Sequence, residues 1–312
     1  NDPVLSSLIE RGIASNLDLK IASQRIRQSR AVLGQARGVL LPTLDASAGY
    51  LRSGTHLPDD EAGSGAVSRS ESGTGSLYRA GLDASWEIDV FGGVRRGIEA
   101  ARADLEASVE DLRDVLVILV GDIGINYMDL RSLQEQLRIT RDNLATQERS
   151  AEITRKRYDA GFASALDLSN ALAQTSSTKA QIPALEARIR QTIYGLSLLV
   201  GDVPGALVPE LSPDRPIPAI PGQVPAGMPS QLLQRRPDIR SAEARLHAAT
   251  ARIGVSKADL FPRFFLSGSA GIQANDLDSW SSSVMRLWSV GPSVSWNIFN
   301  GGRTRARIEE NR

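Results

Sequence analysis

The chain has no cysteine, so a disulfide framework and a thiol nucleophile are both excluded, and its compartment has to be read from other features. Only two histidines occur, His56 in a polar stretch and His247 in a helical one. No H-E-x-x-H pattern joins them, and both read as surface residues rather than metal ligands. Met128, Met228 and Met285 are too few and too scattered to line a path for a soft metal. A phosphate-cradling glycine loop, a G-x-S-x-G elbow and a dinucleotide fingerprint are likewise missing, so no catalytic residue, no cofactor and no metal are expected. Charge of one sign is absent too: 36 basic and 36 acidic side chains cancel, which argues against nucleic acid as a partner. No apolar run approaches the roughly 18 residues of a helical membrane span, the longest being Val115–Val120.

In place of these the chain has periodicity. Between Arg95 and Tyr158, Val109, Leu116, Ile123, Leu130, Leu137, Leu144 and Ala151 recur every seventh residue, with Leu105, Leu112, Leu119 and Leu133 on the companion seam. Asn126 and Thr140 are polar interruptions, and no proline breaks the stretch. One coiled-coil-like helix over about 95–158 is predicted, about 95 Å long at about 1.5 Å per residue. A rod of that length implies a machine that spans distance.

In chain order, Leu5, Leu8, Ile9, Ile13, Leu17, Ile21, Ile26 and Leu33 predict a helix over about 3–41, stopped by Pro42. The period then becomes two. Leu44, Ala46, Ala48 and Tyr50 alternate with Thr43, Asp45, Ser47 and Gly49, which predicts a strand over about 43–52. Residues 52–76 are too polar to bury a core and read as a long exposed loop. Alternation returns over about 78–90, with Tyr78, Ala80, Leu82, Ala84, Trp86 and Ile88 on one face and Arg79, Asp83, Ser85, Glu87 and Asp89 on the other. Phe91-Gly92-Gly93 leads into the long helix. That helix ends near Gly161, a C-cap residue, and Ser164 is an N-cap for a helix over about 165–200, which Pro183 is expected to kink or divide. Residues 204–229 form a proline-rich linker.

The chain then starts again. Asp18, Ala22, Arg25, Gly34 and Pro42 recur at identical spacing as Asp238, Ala242, Arg245, Gly254 and Pro262. Two more alternating stretches follow, one with Phe264, Leu266, Ala270 and Ile272, the other with Trp288, Val290, Val294, Trp296 and Ile298. Asn300-Gly301-Gly302 stands where Phe91-Gly92-Gly93 stood. A helix–strand–strand–helix unit spanning 1–203 is therefore repeated in 230–312 without its long helices.

Strands of about ten residues, small and polar on one face and apolar with Trp or Tyr on the other, suit a tilted crossing of a bilayer. Four strands cannot close a barrel, and open edges are not tolerated in lipid, so oligomerisation is expected. Asp45, Asp83, Glu87 and Asp89 would then either face the lumen and bias it toward cations or form a hydrated strand face near the membrane border. Tyr78, Trp86, Trp288 and Trp296 would sit at the lipid interface.

Three segments resemble one family. Ser85-Trp86-Glu87-Ile88-Asp89-Val90-Phe91-Gly92 resembles its strand-to-helix segment, and Arg157-Tyr158-Asp159-Ala160-Gly161-Phe162-Ala163-Ser164-Ala165-Leu166-Asp167-Leu168 its helical-hairpin tip. Pro225-Ala226-Gly227-Met228-Pro229-Ser230 through Leu232-Leu233-Gln234-Arg235-Arg236-Pro237-Asp238-Ile239 resembles the start of its second repeat. The family is that of the outer-membrane factors of tripartite efflux pumps, the TolC and OprM-like proteins of the NodT type. The resemblance implies a mainly α fold with β, in which long helical hairpins form a coiled-coil barrel, and four transmembrane strands per protomer build a twelve-stranded barrel in a homotrimer. It implies a passive exit duct in the outer membrane of a Gram-negative bacterium, in contact with its lipid and extending into the periplasm. The implied partners are a periplasmic adaptor (membrane fusion protein) and an inner-membrane RND-type transporter. Tyr158, Gly161, Phe162, Ala163, Ser164 and Leu166 would be the adaptor-contact positions.

The alternative class is a soluble periplasmic coiled-coil adaptor, which would carry one hairpin rather than begin a second rod at Gly301-Gly302. The chain opens on Asn1-Asp2-Pro3 and closes on a charged segment as a helix starts. The family's lipid-bearing cysteine and its second hairpin tip with the acidic constriction are therefore expected outside it.

Overall fold

A computed structural model of the chain describes residues 2–54, 74–219, 233–275 and 285–312. In order, its elements are α1 (Pro3–Ser15), α2 (Leu17–Gly38), β1 (Thr43–Gly54), β2 (Thr74–Ile88), α3 (Gly93–Asp159), α4 (Ala165–Leu199), α5 (Val208–Leu211), α6 (Pro237–Ala258), β3 (Arg263–Ala274), β4 (Met285–Ser295) and α7 (Arg303–Glu310). His56, most of the polar loop and residues 220–232 of the proline-rich segment, with the second-repeat motif around Met228, lie outside the described residues.

The chain packs as two units, residues 1–27 with 107–242, and residues 28–106 with 243–312. The first holds the large-residue core. Leu119, Ile123, Tyr127, Leu130 and Leu137 of α3 pack with Val4 and Leu8 of α1 and with Ile189, Ile193 and Leu196 of α4. Ile123, Leu130 and Leu137 are heptad positions, so the sevenfold repeat is what buries this face of α3. Leu207 and Leu211 of the α5 turn close the cluster.

α3 is a single helix of 67 residues. The helix expected over 3–41 is instead two, because Asn16 serves both ends. Its N–H goes to the Gly12 carbonyl at 2.9 Å, its Oδ1 accepts from Leu19 N at 3.0 Å, and its Nδ2 donates to the Leu199 carbonyl at 2.9 Å. An asparagine side chain that bonds nearby backbone replaces the helical ladder at that point. Pro183 does not divide α4, which stays helical from Ala165 to Leu199. One lost hydrogen bond is offset by the packing of its neighbours Ile182 and Leu185 against the core.

The second unit holds the sheet, four antiparallel strands in the order β1-β2-β3-β4. Its register pairs even positions with even positions throughout: Ala46 faces Leu82, Leu82 faces Ala270, and Ala270 faces Trp288. One face of the whole sheet therefore carries Leu44, Tyr50, Tyr78, Leu82, Trp86, Leu266 and Val290, and the other carries Asp45, Ser47, Asp83, Ser267 and Ser289. Small residues let helices come close beside it: Ala100, Ala103, Ala248 and Ala251 are buried. A β-carbon at Gly254 would lie 3.0 Å from Arg96 Cγ and Cδ. No helix among the described residues is long and apolar enough to cross a membrane, a test that does not bear on strands.

Candidate functional site

Four features could carry function: the polar strand face, the apolar strand face, the corners where helices meet strands, and the α3–α4 turn.

On the polar face Asp45 stands directly opposite Asp83. Like charges at opposed positions of an antiparallel pair repel, so this arrangement costs stability and needs another reason to exist. The row continues through Ser269 and Ser289, whose hydroxyls lie 2.9 Å apart. Glu87 lies one end along the same face, 4.0 Å from Arg263. Asp89 does not belong to this row. β2 stops at Ile88, the Val90 N–H turns back to the Ile88 carbonyl at 2.8 Å, and the Asp89 carboxylate caps α3. It accepts from Val94 N at 3.1 Å and Arg95 N at 2.9 Å, and pairs with the Arg95 side chain at 3.2 Å. Burial pushes its carboxyl pKa upward, but the backbone N–H groups and the guanidinium prevail and hold it below the ordinary value. Helix starts favour such a carboxylate, which explains why an acid expected in the lumen is recruited here.

Of the four aromatics expected at the lipid interface, Trp86, Trp288 and Trp296 are exposed in the chain, Trp288 to 80%, and Tyr78 is half-buried. The Tyr50 and Tyr78 rings pair at 4.8 Å. Trp86 and Trp296 do more than present a ring. Trp86 Nε1 donates to the Leu40 carbonyl at 2.9 Å, and Trp296 Nε1 to the Leu260 carbonyl at 3.1 Å. Leu40 and Leu260 are the same position of the repeat, two residues before Pro42 and Pro262. Each indole thus leaves its ring on the apolar side while its N–H satisfies a carbonyl just past the end of α2 or α6.

The α3–α4 turn is built by capping. Gly161, at φ 79°, sends its N–H to the Tyr158 carbonyl at 2.9 Å, and Phe162 N reaches the Arg157 carbonyl at 2.7 Å. Nothing lies within 4 Å of where a Gly161 β-carbon would be, so the glycine is required by backbone conformation rather than by crowding. Ser164 and Asp167 form a capping box: Ser164 Oγ accepts from Asp167 N at 3.1 Å, and Ser164 N donates to Asp167 Oδ2 at 3.1 Å. The Ser164 hydroxyl and N–H together keep the Asp167 carboxyl below its ordinary pKa. The caps hold Phe162, 77% exposed, and Leu166, 68% exposed, in solvent, with Tyr158 half-exposed beside them. The capped turn therefore displays two large apolar side chains that do not pack into the core of this chain.

Two groupings escaped sequence reasoning. Tyr127 donates to Asp2 Oδ2, and the fully buried Arg131 stacks over the Tyr127 ring at 4.9 Å while donating to Gln134 Oε1 at 2.6 Å and the Pro213 carbonyl at 3.1 Å. Asp2 and Pro213 lie more than 80 positions from the residues they bond, so no local pattern marks those contacts. His247, expected at the surface, is exposed there and touches Glu99 Oε1 at 3.0 Å.

A sheet with one apolar and one polar face, joined through capped corners to a 67-residue helix, defines the class. The chain belongs to the family described as outer membrane efflux protein, which it matches over residues 8–202 and 228–312. A four-stranded antiparallel sheet and one long α3–α4 hairpin are what the described residues show of that fold. It is 36% identical over 308 residues to the solvent efflux pump outer membrane protein SrpC of Pseudomonas putida, covering 99% of this chain and 64% of that protein. To the pyoverdine export outer membrane protein OpmQ of Pseudomonas aeruginosa it is 35% identical over 306 residues, covering 97% of this chain and 63% of that one. Among solved structures it is similar to the outer-membrane channel OprN, with a TM-score of 0.89 and 36% identity, covering 99% of this chain and 68% of that one. The chain thus spans somewhat under two thirds of the length of the two curated relatives.

Proposed function

We propose that the protein is an outer-membrane channel, the passive exit duct of a tripartite efflux pump. The observation that carries this reading is the parity kept across all four strands, which puts Tyr50, Tyr78, Trp86, Trp288 and most large apolar residues on one face for lipid and the carboxylates and serines on the other for a lumen, with Leu51, Leu77, Phe265, Met285 and Leu287 as apolar exceptions on that second face. β1 and β4 are open edges, and lipid does not tolerate open edges, so three copies complete a twelve-stranded barrel. Asp45, Asp83 and Glu87 then line the lumen and favour cations, with Arg79 and Arg263 on the same face as partial counterweights. Tyr78, Trp86, Trp288 and Trp296 lie at the lipid boundary.

The α3–α4 turn is the end that docks a periplasmic adaptor, through Tyr158, Gly161, Phe162, Ala163, Ser164 and Leu166. The adaptor links the duct to an inner-membrane transporter of the RND type, which supplies the energy and chooses the cargo. No catalytic step and no cofactor enters this scheme.

The test is conductance of the full-length protein in a planar lipid bilayer. Ion-conducting steps are expected, with a cation preference that falls when Asp45→Asn and Asp83→Asn are combined. Absence of conductance in a correctly assembled trimer removes the reading. A charge at the tip, Leu166→Asp, is expected to abolish efflux-dependent resistance in cells while trimer yield stays unchanged.

A further inference from the structure

The apolar strand face contains two charges that the exit-duct reading does not use. Among the described strand residues of that face, Arg52 and Arg286 are the only ionised side chains, and both lie toward the end of the sheet away from the helices. Arg286 stands in the row Ala48, Ala80, Ile272, and Arg52 one pleat beyond Tyr50. The acidic strand residues Asp45, Asp83 and Glu87 are all on the other face. Both arginines are exposed, and neither has a hydrogen bond or ion pair with a described residue.

The positions agree with the depth at which such charges are tolerated. From Ile88 to Tyr78 is ten residues, about 33 Å along a strand at about 3.3 Å each, or about 25 Å of height at a tilt near 40°. That is the height of a lipid-facing apolar band, which the paired rings of Tyr50 and Tyr78 close at its far end. Arginine on a lipid face costs about 2–4 kcal/mol at the midplane and about 0–1 kcal/mol near the boundary. Arg286 lies one pleat inside the tyrosine row and Arg52 one pleat outside it, so long side chains bring both guanidinium groups to the boundary.

We propose that Arg52 and Arg286 bind the phosphate-bearing headgroups of the outer leaflet. Within one protomer, three strand spacings of about 4.8 Å and four residues along the strand put the two α-carbons about 19 Å apart, whereas closure of the barrel brings β1 of one copy beside β4 of the next. A planar guanidinium suits a phosphate through paired N–H donors, and the neighbouring rings of Tyr50, Tyr78 and Trp288 suit the glycerol or sugar level just beneath. The proposal rests on the reading of the sheet as part of a lipid-facing barrel, and adds that its far rim recognises anionic lipid.

The full-length protein, reconstituted in phosphatidylcholine vesicles containing either bisphosphorylated lipid A or its dephosphorylated form, is extracted in mild detergent, and retained lipid is counted by native mass spectrometry. Wild type is expected to retain the phosphorylated form preferentially. Arg52→Gln with Arg286→Gln is expected to lower retention about tenfold or more, the scale of two arginines at an anionic surface. Lysine at both positions should restore part of it, and Arg79→Gln on the polar face should change nothing. Equal retention by the double variant overturns the proposal, as does an equal loss in Arg79→Gln. Loss of the trimer in place of lipid also overturns it, because the arginines would then be ligands between subunits. Failure of conductance with phosphate selectivity intact counts against the duct alone.

Discussion

The two copies of the repeated module arrive at the sheet in the same way and leave it differently. On arrival, α2 and α6 each end in two short turns. Leu40 and Leu41 reach back to Arg37 and Gly38, and Leu260 and Phe261 reach back to Lys257 and Ala258. Each copy then takes an indole N–H on the carbonyl two residues before its proline. On departure, Trp86 to Gly92 takes six positions and Trp296 to Gly301 five, and only the first copy places a carboxylate at the helix start. α7 begins on Gly302, at φ 86°, without a side-chain cap, and Asn300 directs its Nδ2 to Thr304. The duplication has kept the bond that fixes the corner and varied the one that starts the helix. The indole bond recurs at the same repeat position in both copies, whereas the helix starts are local and differ.

The largest separation between the copies is expected at those helix starts. Asp89→Ala strips two N–H groups and the Arg95 guanidinium of their acceptor, and should lower stability by about 2 kcal/mol, whereas Asn300→Ala should cost under about 1 kcal/mol. Denaturant unfolding of the two variants gives the comparison, and equal losses would erase it.

Next come the repeat-equivalent glycines. A β-carbon at Gly254 would press on Arg96 at 3.0 Å, while nothing lies within 4 Å of one at Gly34. Gly34→Ala should therefore raise stability by about 0.5–1 kcal/mol through helix propensity, and Gly254→Ala should lower it by about 1 kcal/mol. A shared sign in thermal melts would mean that the two helices are packed alike.

Trp86→Phe and Trp296→Phe should each cost about 1 kcal/mol, since each leaves a helix-end carbonyl without its donor. Here the copies should agree to within a few tenths of a kcal/mol; a large difference would show that only one corner depends on its indole.

The smallest effect is on acid stability. Asp89 has a folded-state pKa below its unfolded value, so its contribution is present above the ordinary carboxyl range near pH 4 and is lost as the pH falls through the lower folded value. Asp89→Asn should flatten the fall in stability below about pH 4, and an acid titration of both proteins checks it.

Much of this was legible in the sequence because it is periodic. Alternation at Leu44, Ala46, Ala48 and Tyr50 marks a strand and its faces whatever lies beside it, and β1 runs over it from Thr43 to Gly54. The heptads at Ile123, Leu130 and Leu137 likewise marked the buried face of α3. What escaped depends on partners distant along the chain. Asn16 breaks a helix with the help of Leu199, Trp86 reaches back 46 positions to Leu40, and Tyr127 finds Asp2 across 125. Asp89 was misplaced because parity extends past the end of a strand on paper, whereas backbone N–H groups at a helix start compete for the same carboxylate. At the tip, the glycine and the capping box are local and were readable from Gly161, Ser164 and Asp167, but which side chains a partner touches is not a property of one chain.

Even-to-even pairing over four strands also limits how such a protein can change over time. Lengthening β2 by a single residue before Leu82, unless a bulge absorbed it, would reverse the faces of the residues on one side of the insertion. Insertions two at a time keep the parity, and insertions beyond the strand ends leave it untouched.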